Sequence, residues 1–398
     1  MPEPGLARAG APHPPPRPPS LPRASERPLT EVYDVALLDL DGVVYLGRAA
    51  VPGAPEALAE ARHRGMRLAF VTNNASRSSS AIAAQLAGLG VPATPAEVVT
   101  SAHAAARLIA DRLPPGAPVL VVGGIGLRIA LRERGLRPVS TAAERPAAVV
   151  QGYAPGIDYP MLAEAGLAVR AGAWYVAANA DATLPTARGI QPGNGSLVQV
   201  IVTATGQQPV VAGKPEPPLH SEAVTRTGAR RPLVVGDRLD TDIEGAVRVG
   251  ADSLLVLTGV TRPADVVLAP SHRRPTYLAR DLAGLLEPHP AVTAAEGGFR
   301  CRGWTARLAG GGGPDGRSGP RARPGSPGQS GADGCPDADG RTGSGGRPDL
   351  GEPPGRLEIT GAGAPIDGLR ALCAAAWSAG PVAADSVRSA VASLRFPA

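Results

Sequence analysis

Short apolar segments alternate with helix-patterned segments along this chain, and the alternation constrains its fold more than any other feature. The apolar segments YDVALLD (33–39) and MRLAFVT (66–72) are continuously hydrophobic, as are strands that are buried on both faces of a sheet. A helical pattern occupies 55–64 between them, and another follows at 78–89. This order predicts an α/β fold with a doubly wound, Rossmann-like parallel sheet.

The same alternation recurs in two later parts of the chain. In the first part, strand patterns lie at 117–122, 147–151 and 174–178, and helix patterns at 127–134 and 159–171. In the second part, strand patterns lie at 209–212, 233–236 and 253–258, and helix patterns at 217–227 and 240–249. We therefore predict one core domain made of 31–104 and 208–290, interrupted by an inserted α/β domain at 105–207.

Glycine and proline are concentrated in two stretches that we predict to be disordered. The chain contains 51 glycines and 44 prolines in 398 residues. Residues 1–30 are rich in proline, and about 309–355 consist largely of Gly, Pro, Arg, Asp and Ser. Neither stretch can bury enough apolar surface to offset its chain entropy, so we expect a disordered N-terminal tail and a disordered C-terminal segment.

The second of these stretches lies inside a C-terminal extension, 291–398. Around it, 299–308 and 355–361 each alternate roughly like one strand, which suggests a hairpin with an expanded loop. A helical pattern follows at 366–377. The sequence indicates no role for this extension.

Charge and cysteine content argue against several classes of protein. The chain has 40 basic and 35 acidic residues. Residues 1–30 hold 4 basic and 2 acidic residues, and the extension holds 12 basic and 10 acidic ones, which leaves 24 basic and 23 acidic residues in 31–290. This near-neutral balance disfavours nucleic-acid binding. All three cysteines lie outside 31–290 without a CxxC pair, which disfavours structural zinc and disulfides. No signal core or 18-residue apolar run is present, so we predict a cytoplasmic protein without membrane contacts.

The strongest chemical motif is DLDGV at 39–43, which ends the first predicted strand. Ligands of open α/β sheets bind beyond the carboxyl ends of such strands. Asp39 and Asp41 can therefore approach one site, where one carboxylate attacks phosphorus and the other moves protons. Gly42 permits the tight backbone path beside them. An acidic turn without a catalytic role is the alternative.

A polar block, Thr72-Asn73-Asn74, ends the second predicted strand. Its hydroxyl and backbone N–H groups could hold a phosphoryl oxygen, which makes Thr72 and Asn73 candidate phosphate-binding residues. A polar turn that leads into the helix at Ser78 is the alternative.

Lys214 is the only lysine in the chain, and the other 39 basic residues are arginine. A compact ammonium group cannot be exchanged freely for a planar guanidinium. Lys214 is therefore a candidate for contacting a phosphoryl group and a carboxylate together. A surface lysine retained by chance is the alternative.

An acidic cluster, GDRLDTDI at 236–243, follows another apolar strand. Asp237 lies at the strand end and Asp242 in the first turns of the next helix, where carboxylates suit Mg²⁺. We interpret Asp240 as the N-cap of that helix. A solvated acidic helix start is the alternative to a metal site.

Together the four motifs resemble the haloacid-dehalogenase (HAD) superfamily, in its p-nitrophenyl phosphatase, phosphoglycolate phosphatase and pyridoxal phosphatase branch. The 141 residues between Thr72 and Lys214 leave room for the large α/β cap of that branch. Inside the insert, ANADATLP (178–185) and GNGSL (193–197) also look like the branch. The resemblance implies that Asn179 and Asp181 help to shape the substrate pocket.

The resemblance implies a Mg²⁺-dependent phosphomonoesterase that acts through an aspartyl-phosphate. Asp39 would be the nucleophile and Asp41 the acid and base. Metal ligands would be Asp39, the Asp41 backbone carbonyl and Asp237, with Asp242 orienting Lys214 or acting through water. Thr72, Asn73 and Lys214 would hold the phosphoryl group.

Several readings remain open at this stage. A phosphotransferase or mutase would share all four motifs, and a non-catalytic binding protein or a dehalogenase is a more distant alternative. The substrate would be a small phosphorylated metabolite, such as phosphoglycolate, pyridoxal phosphate, a sugar phosphate or a nucleoside monophosphate. The oligomeric state is also open, although caps of the branch that the chain resembles often take part in dimer contacts, which makes a homodimer through the cap a candidate.

Overall fold

The computed structural model describes residues 21–186, 188–309 and 355–396. In chain order the strands are β1 Val35–Leu38, β2 Tyr45–Leu46, β3 Ala49–Ala50, β4 Arg67–Thr72, β5 Val98–Thr100, β6 Pro118–Val122, β7 Arg137–Val139, β8 Ala148–Gln151, β9 Trp174–Ala177, β10 Thr183–Thr186, β11 Gly189–Pro192, β12 Val210–Val211, β13 Pro232–Gly236, β14 Asp252–Val256, β15 Tyr277–Ala279, β16 Thr293–Ala295, β17 Gly298–Cys301, β18 Trp304–Ala309 and β19 Arg356–Gly361.

The α-helices are α1 Leu29–Val32, α2 Ala54–His63, α3 Ser79–Gly88, α4 Ser101–Ala110, α5 Ile125–Glu133, α6 Tyr159–Arg170, α7 Asn194–Thr205, α8 Pro217–Thr227, α9 Glu244–Val249, α10 Pro263–Val267, α11 Pro365–Trp377 and α12 Ala384–Ala392. Short 3₁₀ turns lie at Pro95–Glu97, Ala142–Glu144, Ser271–Arg273 and Leu282–Leu285, and a π-helical turn at Leu239–Ile243. None of the helices in the described ranges is long and apolar enough to cross a membrane.

Six parallel strands form the core sheet, in the order β15-β14-β13-β1-β4-β5. All four residues of β1 are buried, as the continuous apolar pattern predicts for a central strand. One apolar cluster lies on each face of this sheet, and α2 and α8 contribute to opposite clusters. The prediction of a doubly wound α/β fold is therefore confirmed.

A second parallel sheet, β12-β9-β8-β6-β7, forms the inserted unit. Its edge strand β12 pairs with β9, although the sequence placed 209–212 in the second core segment. The antiparallel hairpin β10–β11 was not predicted. One apolar cluster joins the two sheets, since Leu37 of β1 and Leu127 of α5 belong to it. The inserted unit is thus packed directly on the core.

The C-terminal unit, 291–309 and 355–396, is an antiparallel sheet in the order β16-β17-β18-β19 with α11 and α12 packed on it. The prediction of a single strand at 299–308 is wrong, because the chain turns between β17 and β18 at Arg302, whose φ is +48°. The predicted pairing with the strand near 355–361 is present between β18 and β19. Residues 310–354 lie outside the described residues.

Part of the predicted disordered N-terminal tail packs on the core sheet. Leu29 is fully buried, and the backbone N–H groups of Arg23 and Ser25 donate to carbonyls near β15 and at His289. The tail prediction is thus wrong for residues 21–30, because one buried leucine and a few backbone bonds leave no compositional signal. Residues 1–20 lie outside the described part of the chain.

Candidate active site

The polar motifs meet at the carboxyl edge of the core sheet. Asp39 follows the central strand β1, and its backbone N–H donates to the carbonyl of Val235 in β13 at 2.8 Å. Thr72 is the last residue of β4, on the other side of β1. Asp237 directly follows β13. Parallel packing of these strands therefore brings together side chains that are far apart in sequence.

Lys214 occupies the centre of this group. Its Nζ lies 2.5 Å from Oδ1 of Asp39, 2.7 Å from Oδ1 of Asp242 and 3.2 Å from the carbonyl oxygen of Val71. The lysine side chain is 4% exposed and that of Asp242 is 1% exposed. Burial opposes the charged form of Lys214, but the carboxylates of Asp242 and Asp39 outweigh it and hold the lysine pKa above its ordinary value. Lys214 is therefore a fixed positive charge.

The carboxylates around Lys214 carry strongly perturbed pKa values. Burial, together with Asp242 and Asp237, raises the pKa of Asp39 to about 8, although Lys214 acts in the opposite direction. Burial, together with Asp242, raises the pKa of Asp237 to about 6. One lysine is not enough to neutralise three close carboxylates, so the group favours a further cation.

Three carboxylates have the arrangement of a metal site. Oxygens of Asp39, Asp237 and Asp242 lie within 4.8 Å of one another. Oδ1 of Asp237 is buried and has no hydrogen-bond partner among the described residues, whereas Oδ2 accepts from the backbone N–H of Val260 at 2.6 Å. At Gly42, φ is +81° and a Cβ would lie 2.5 Å from Oδ2 of Asp237. These oxygens therefore fit Mg²⁺, which prefers carboxylates and oxygen donors.

Asp41 lies on the open side of the same group. The residue is exposed, and its backbone pairs with Tyr45. The surrounding protein partly desolvates its carboxyl group and raises its pKa. A carboxyl group that is protonated more readily than usual can act as a general acid.

The acidic turn after β13 differs from its sequence interpretation. Asp240 is not an N-cap, because Nε and Nη2 of Arg238 donate to its two oxygens at 3.0 and 2.8 Å. The planar guanidinium of Arg238 thus binds the carboxylate oxygens that would otherwise accept from the helix N-terminus. A π-helical turn also precedes α9. Asp242 instead accepts from the backbone N–H of Arg238 at 3.1 Å, which fixes it beside Lys214.

Asn73 connects the second and third motifs, a role that the sequence did not reveal. Its Oδ1 accepts from the backbone N–H of Lys214 at 2.8 Å, and its Nδ2 donates to the Lys214 carbonyl at 3.1 Å. Its Nδ2 also lies 3.2 Å from Oδ2 of Asp181. Thr72 is buried, and its Oγ1 accepts from the backbone N–H of Asn74 at 3.1 Å. The Asn73 side chain thus holds Lys214 in position.

The inserted unit contributes one loop to the site. Nδ2 of Asn179 donates to the carbonyl of Asn73 at 2.7 Å, and Oδ1 of Asn179 accepts from the backbone N–H of Asp181 at 3.2 Å. Asn194, at the start of α7, donates to the Asn179 carbonyl at 2.7 Å. The segments 178–185 and 193–197 therefore pack together, and their sequence likeness to one family branch was the only signal for Asn194.

The loop after β14 was also missed by the sequence analysis. Oγ1 of Thr258 donates to the carbonyl of Gly42 at 2.5 Å, and a Cβ at Gly259 would lie 2.0 Å from Oδ2 of Asp237. A glycine after a buried strand was the one available signal. This loop closes the side of the site next to Asp237.

Three protein-family models match the chain. A model described as haloacid dehalogenase-like hydrolase matches residues 36–137, and one described as HAD-hydrolase-like matches 211–285. A third, described as a GCN5-related N-acetyltransferase-like domain, matches 353–394. The first two contain all four sequence motifs, and the third falls in the C-terminal unit.

Individual relatives agree with the hydrolase models. D-glycerol 3-phosphate phosphatase of Mycobacterium tuberculosis is 52% identical over 267 residues, which cover 67% of this chain and 75% of that protein. The 5′-nucleotidase YutF of Bacillus subtilis is 40% identical over 58% of this chain and 90% of its own. The structure of a glycerol phosphate phosphatase of M. tuberculosis in complex with magnesium has a TM-score of 0.74 at 40% identity, covering 93% of this chain and 99% of that one.

Proposed function

The chain belongs to the haloacid dehalogenase-like hydrolases, and on that basis we propose that Asp39, Asp41 and Lys214 hydrolyse a small phosphorylated polyol. The chain is a Mg²⁺-dependent phosphatase that acts on phosphoric monoesters of small metabolites. The observation that supports the residue roles is the contact of one buried lysine with Asp39 and Asp242 beside the unpaired oxygen of Asp237. The hydrolase names of the relatives favour water as the acceptor over a phosphotransferase, mutase or non-catalytic role.

In the proposed reaction, Oδ of Asp39 attacks phosphorus, and the bond between phosphorus and the leaving oxygen breaks. Asp41 donates a proton to that oxygen and then accepts one from the water that hydrolyses the aspartyl-phosphate. Thr72 and Lys214 contact the phosphoryl oxygens, and Asn73 positions Lys214. These residues supply positioning and positive charge, the main needs of phosphoryl transfer.

Mg²⁺ would be held by carboxylate oxygens of Asp39 and Asp237 and by the backbone carbonyl of Asp41, with Asp242 orienting Lys214. When bound, the ion neutralises negative charge on the phosphoryl group and on the carboxylates. The unpaired buried Oδ1 of Asp237 supports this assignment.

The loop at Asn179 and Asp181 supports a polyol as the organic part of the substrate. The Asp181 carboxylate lies within hydrogen-bond distance of Asn73, next to the phosphate-binding segment. A carboxylate accepts hydrogen bonds from hydroxyl groups but repels another carboxylate. Asp181 thus favours glycerol phosphate or a sugar phosphate over phosphoglycolate, in agreement with the name of the mycobacterial relative.

The substrate proposal is tested by phosphate release at saturating Mg²⁺ from glycerol phosphate, ribose 5-phosphate, a nucleoside monophosphate and phosphoglycolate. We expect the highest kcat/KM with glycerol phosphate. The Asp181→Asn variant should gain about tenfold in its relative kcat/KM for phosphoglycolate, because a repulsive charge is removed. Asp111→Asn removes an exposed carboxylate and is the control. Unchanged relative rates in Asp181→Asn would contradict the assignment.

Three further expectations stay predictions: the cytoplasmic location, the absence of nucleic-acid and membrane partners, and a homodimer formed through the inserted cap. They rest on composition and on the family resemblance. Sedimentation of the full chain at several concentrations would test the dimer directly.

A further inference from the structure

The C-terminal unit packs on α10, which follows the loop that contacts Asp237, and this packing points to a role in metal binding. The inference rests on the proposed Mg²⁺ site. It concerns a part of the molecule that lies outside both hydrolase-model matches.

The position of Asp237 depends on the loop that follows β14. The backbone N–H of Val260 donates to its side chain at 2.6 Å, and that of Thr261 donates to its main-chain carbonyl at 3.2 Å. Gly259 lies against the same carboxylate, with no room for a Cβ. A displacement of this loop would therefore move the carboxylate.

The same loop leads directly into α10, which packs on the C-terminal unit. Val266 and Val267 of α10 are buried in one apolar cluster with Leu369 and Leu372 of α11. Trp377, the last residue of α11, is 5% exposed, and its Nε1 donates to the carbonyl of Val266 at 3.2 Å. This hydrogen bond connects the C-terminal unit to the main chain of α10.

A second connection reaches the other side of the metal site. Ile243 is fully buried in the same apolar cluster, and it is the next residue after Asp242 in the π-helical turn. The apolar cluster of the C-terminal unit thus also includes the residue next to Asp242, whose carboxylate contacts Lys214.

We propose that the C-terminal unit positions the Mg²⁺-binding carboxylate of Asp237 through α10, with Trp377 as the positioning residue. Trp377 acts on Asp237 through Val266 and the loop at 259–261. Its contribution is a higher affinity for Mg²⁺, because this carboxylate is already placed before the ion binds.

The test compares Trp377→Phe with Trp304→Phe in the full chain. Each substitution keeps an aromatic ring and removes one N–H···O=C hydrogen bond. Trp377 donates to Val266 of α10, whereas Trp304 donates to Ala364, which lies inside the C-terminal unit. Calorimetric titration with Mg²⁺ alone gives the dissociation constant, and thermal unfolding without metal gives the stability. We expect Trp377→Phe to weaken Mg²⁺ binding about two- to fivefold, and Trp304→Phe to lower only the melting temperature.

Equal Mg²⁺ affinities in the wild type and Trp377→Phe would overturn the inference, and so would an equal weakening in both variants. Trp377→Ala should weaken binding further, by about tenfold, because it also opens a cavity beneath α10. If this larger change prevents folding, the Trp377→Phe result decides. If the wild type bound no Mg²⁺, as we expect for the Asp237→Asn variant, the result would instead contradict the proposed metal site itself.

Discussion

The active site and the C-terminal unit each contain buried ion pairs, but the two groups balance their charges differently. At the active site, one lysine faces Asp39 and Asp242, with Asp237 close by. In the C-terminal unit, one carboxylate, Asp367, pairs with Arg370 at 2.5 Å and Arg302 at 3.3 Å. The first group has an excess of negative charge, and the second has more cations than carboxylates.

The hydrogen bonds of the two groups differ in the same way. Within the part of the chain that the structure describes, the buried Oδ1 of Asp237 has no hydrogen-bond partner. Both oxygens of Asp367, in contrast, accept from arginines, and Arg370 also donates to the carbonyl of Leu278. A satisfied buried pair restrains the fold, while an unsatisfied carboxylate lowers stability unless a ligand compensates for it. The charge imbalance, and not burial itself, distinguishes the proposed catalytic site from the ion pair of the C-terminal unit.

Replacing Asp237 with Asn should change activity more than the same substitution at Asp367. We expect the Mg²⁺ concentration for half-maximal phosphate release to rise by about 100-fold or more, because a charged ligand is lost. Without metal, the variant should be as stable as the wild type or more stable, since an unpaired buried carboxylate is removed. Metal-dependent rates and urea unfolding in a chelator measure the two effects. A large loss of stability in the chelator would contradict the comparison.

The same substitution at Asp367 should have the opposite effect. Asp367→Asn leaves Arg370 buried without a counter-charge, so the free energy of unfolding should fall by about 3 kcal/mol. The kcat at saturating Mg²⁺ should stay within about twofold of the wild type, because Asp367 contacts no active-site residue among those described. Urea unfolding and phosphate release check both parts. A strong loss of kcat in folded protein would show that the second group is not merely structural.

His289, which lies beside Arg370, gives a smaller effect that depends on pH. Burial lowers its pKa from 6.5 to about 4. Between pH 6.5 and about pH 4, His289 is therefore protonated in the unfolded chain but neutral in the folded chain. The free energy of unfolding should therefore fall as pH decreases from about 6.5 to about 4. In His289→Gln this dependence should be weaker by up to about 1.4 kcal/mol per pH unit.

Urea unfolding at several pH values measures this difference, and His272→Gln at an exposed histidine is the matched control. Parallel curves for the wild type and His289→Gln would contradict the assignment.

Local sequence patterns predicted part of the active site but not the contacts between its segments. Asp39 and Asp237 each directly follow an apolar strand, so both were identifiable from local patterns. The contacts of Asn73 and Val260 with the site depend on which strands are neighbours, and a sequence pattern does not encode this order. Asp240 was misassigned because the competing partner, Arg238, lies in the same turn.

The C-terminal unit was predicted less completely for a physical reason. The alternation at 299–308 continues through the turn at Arg302, so periodicity alone cannot locate the break between β17 and β18. Its hydrogen bond to α10 comes from Trp377, which is indistinguishable in the sequence from the other apolar residues of a helix. The role that we propose for this unit acts through α10, and no sequence motif in the unit pointed to that role.

We propose that the charge-imbalanced group at β1 carries the covalent chemistry through Asp39. Mass spectrometry of peptides from acid-quenched wild-type enzyme, mixed with substrate and Mg²⁺, tests this claim most directly. We predict one phosphoryl group on Asp39 in the wild type, and neither modification nor phosphate release in Asp39→Asn. Turnover in Asp39→Asn, or a phosphoryl group on another residue, would rule out Asp39 as the nucleophile.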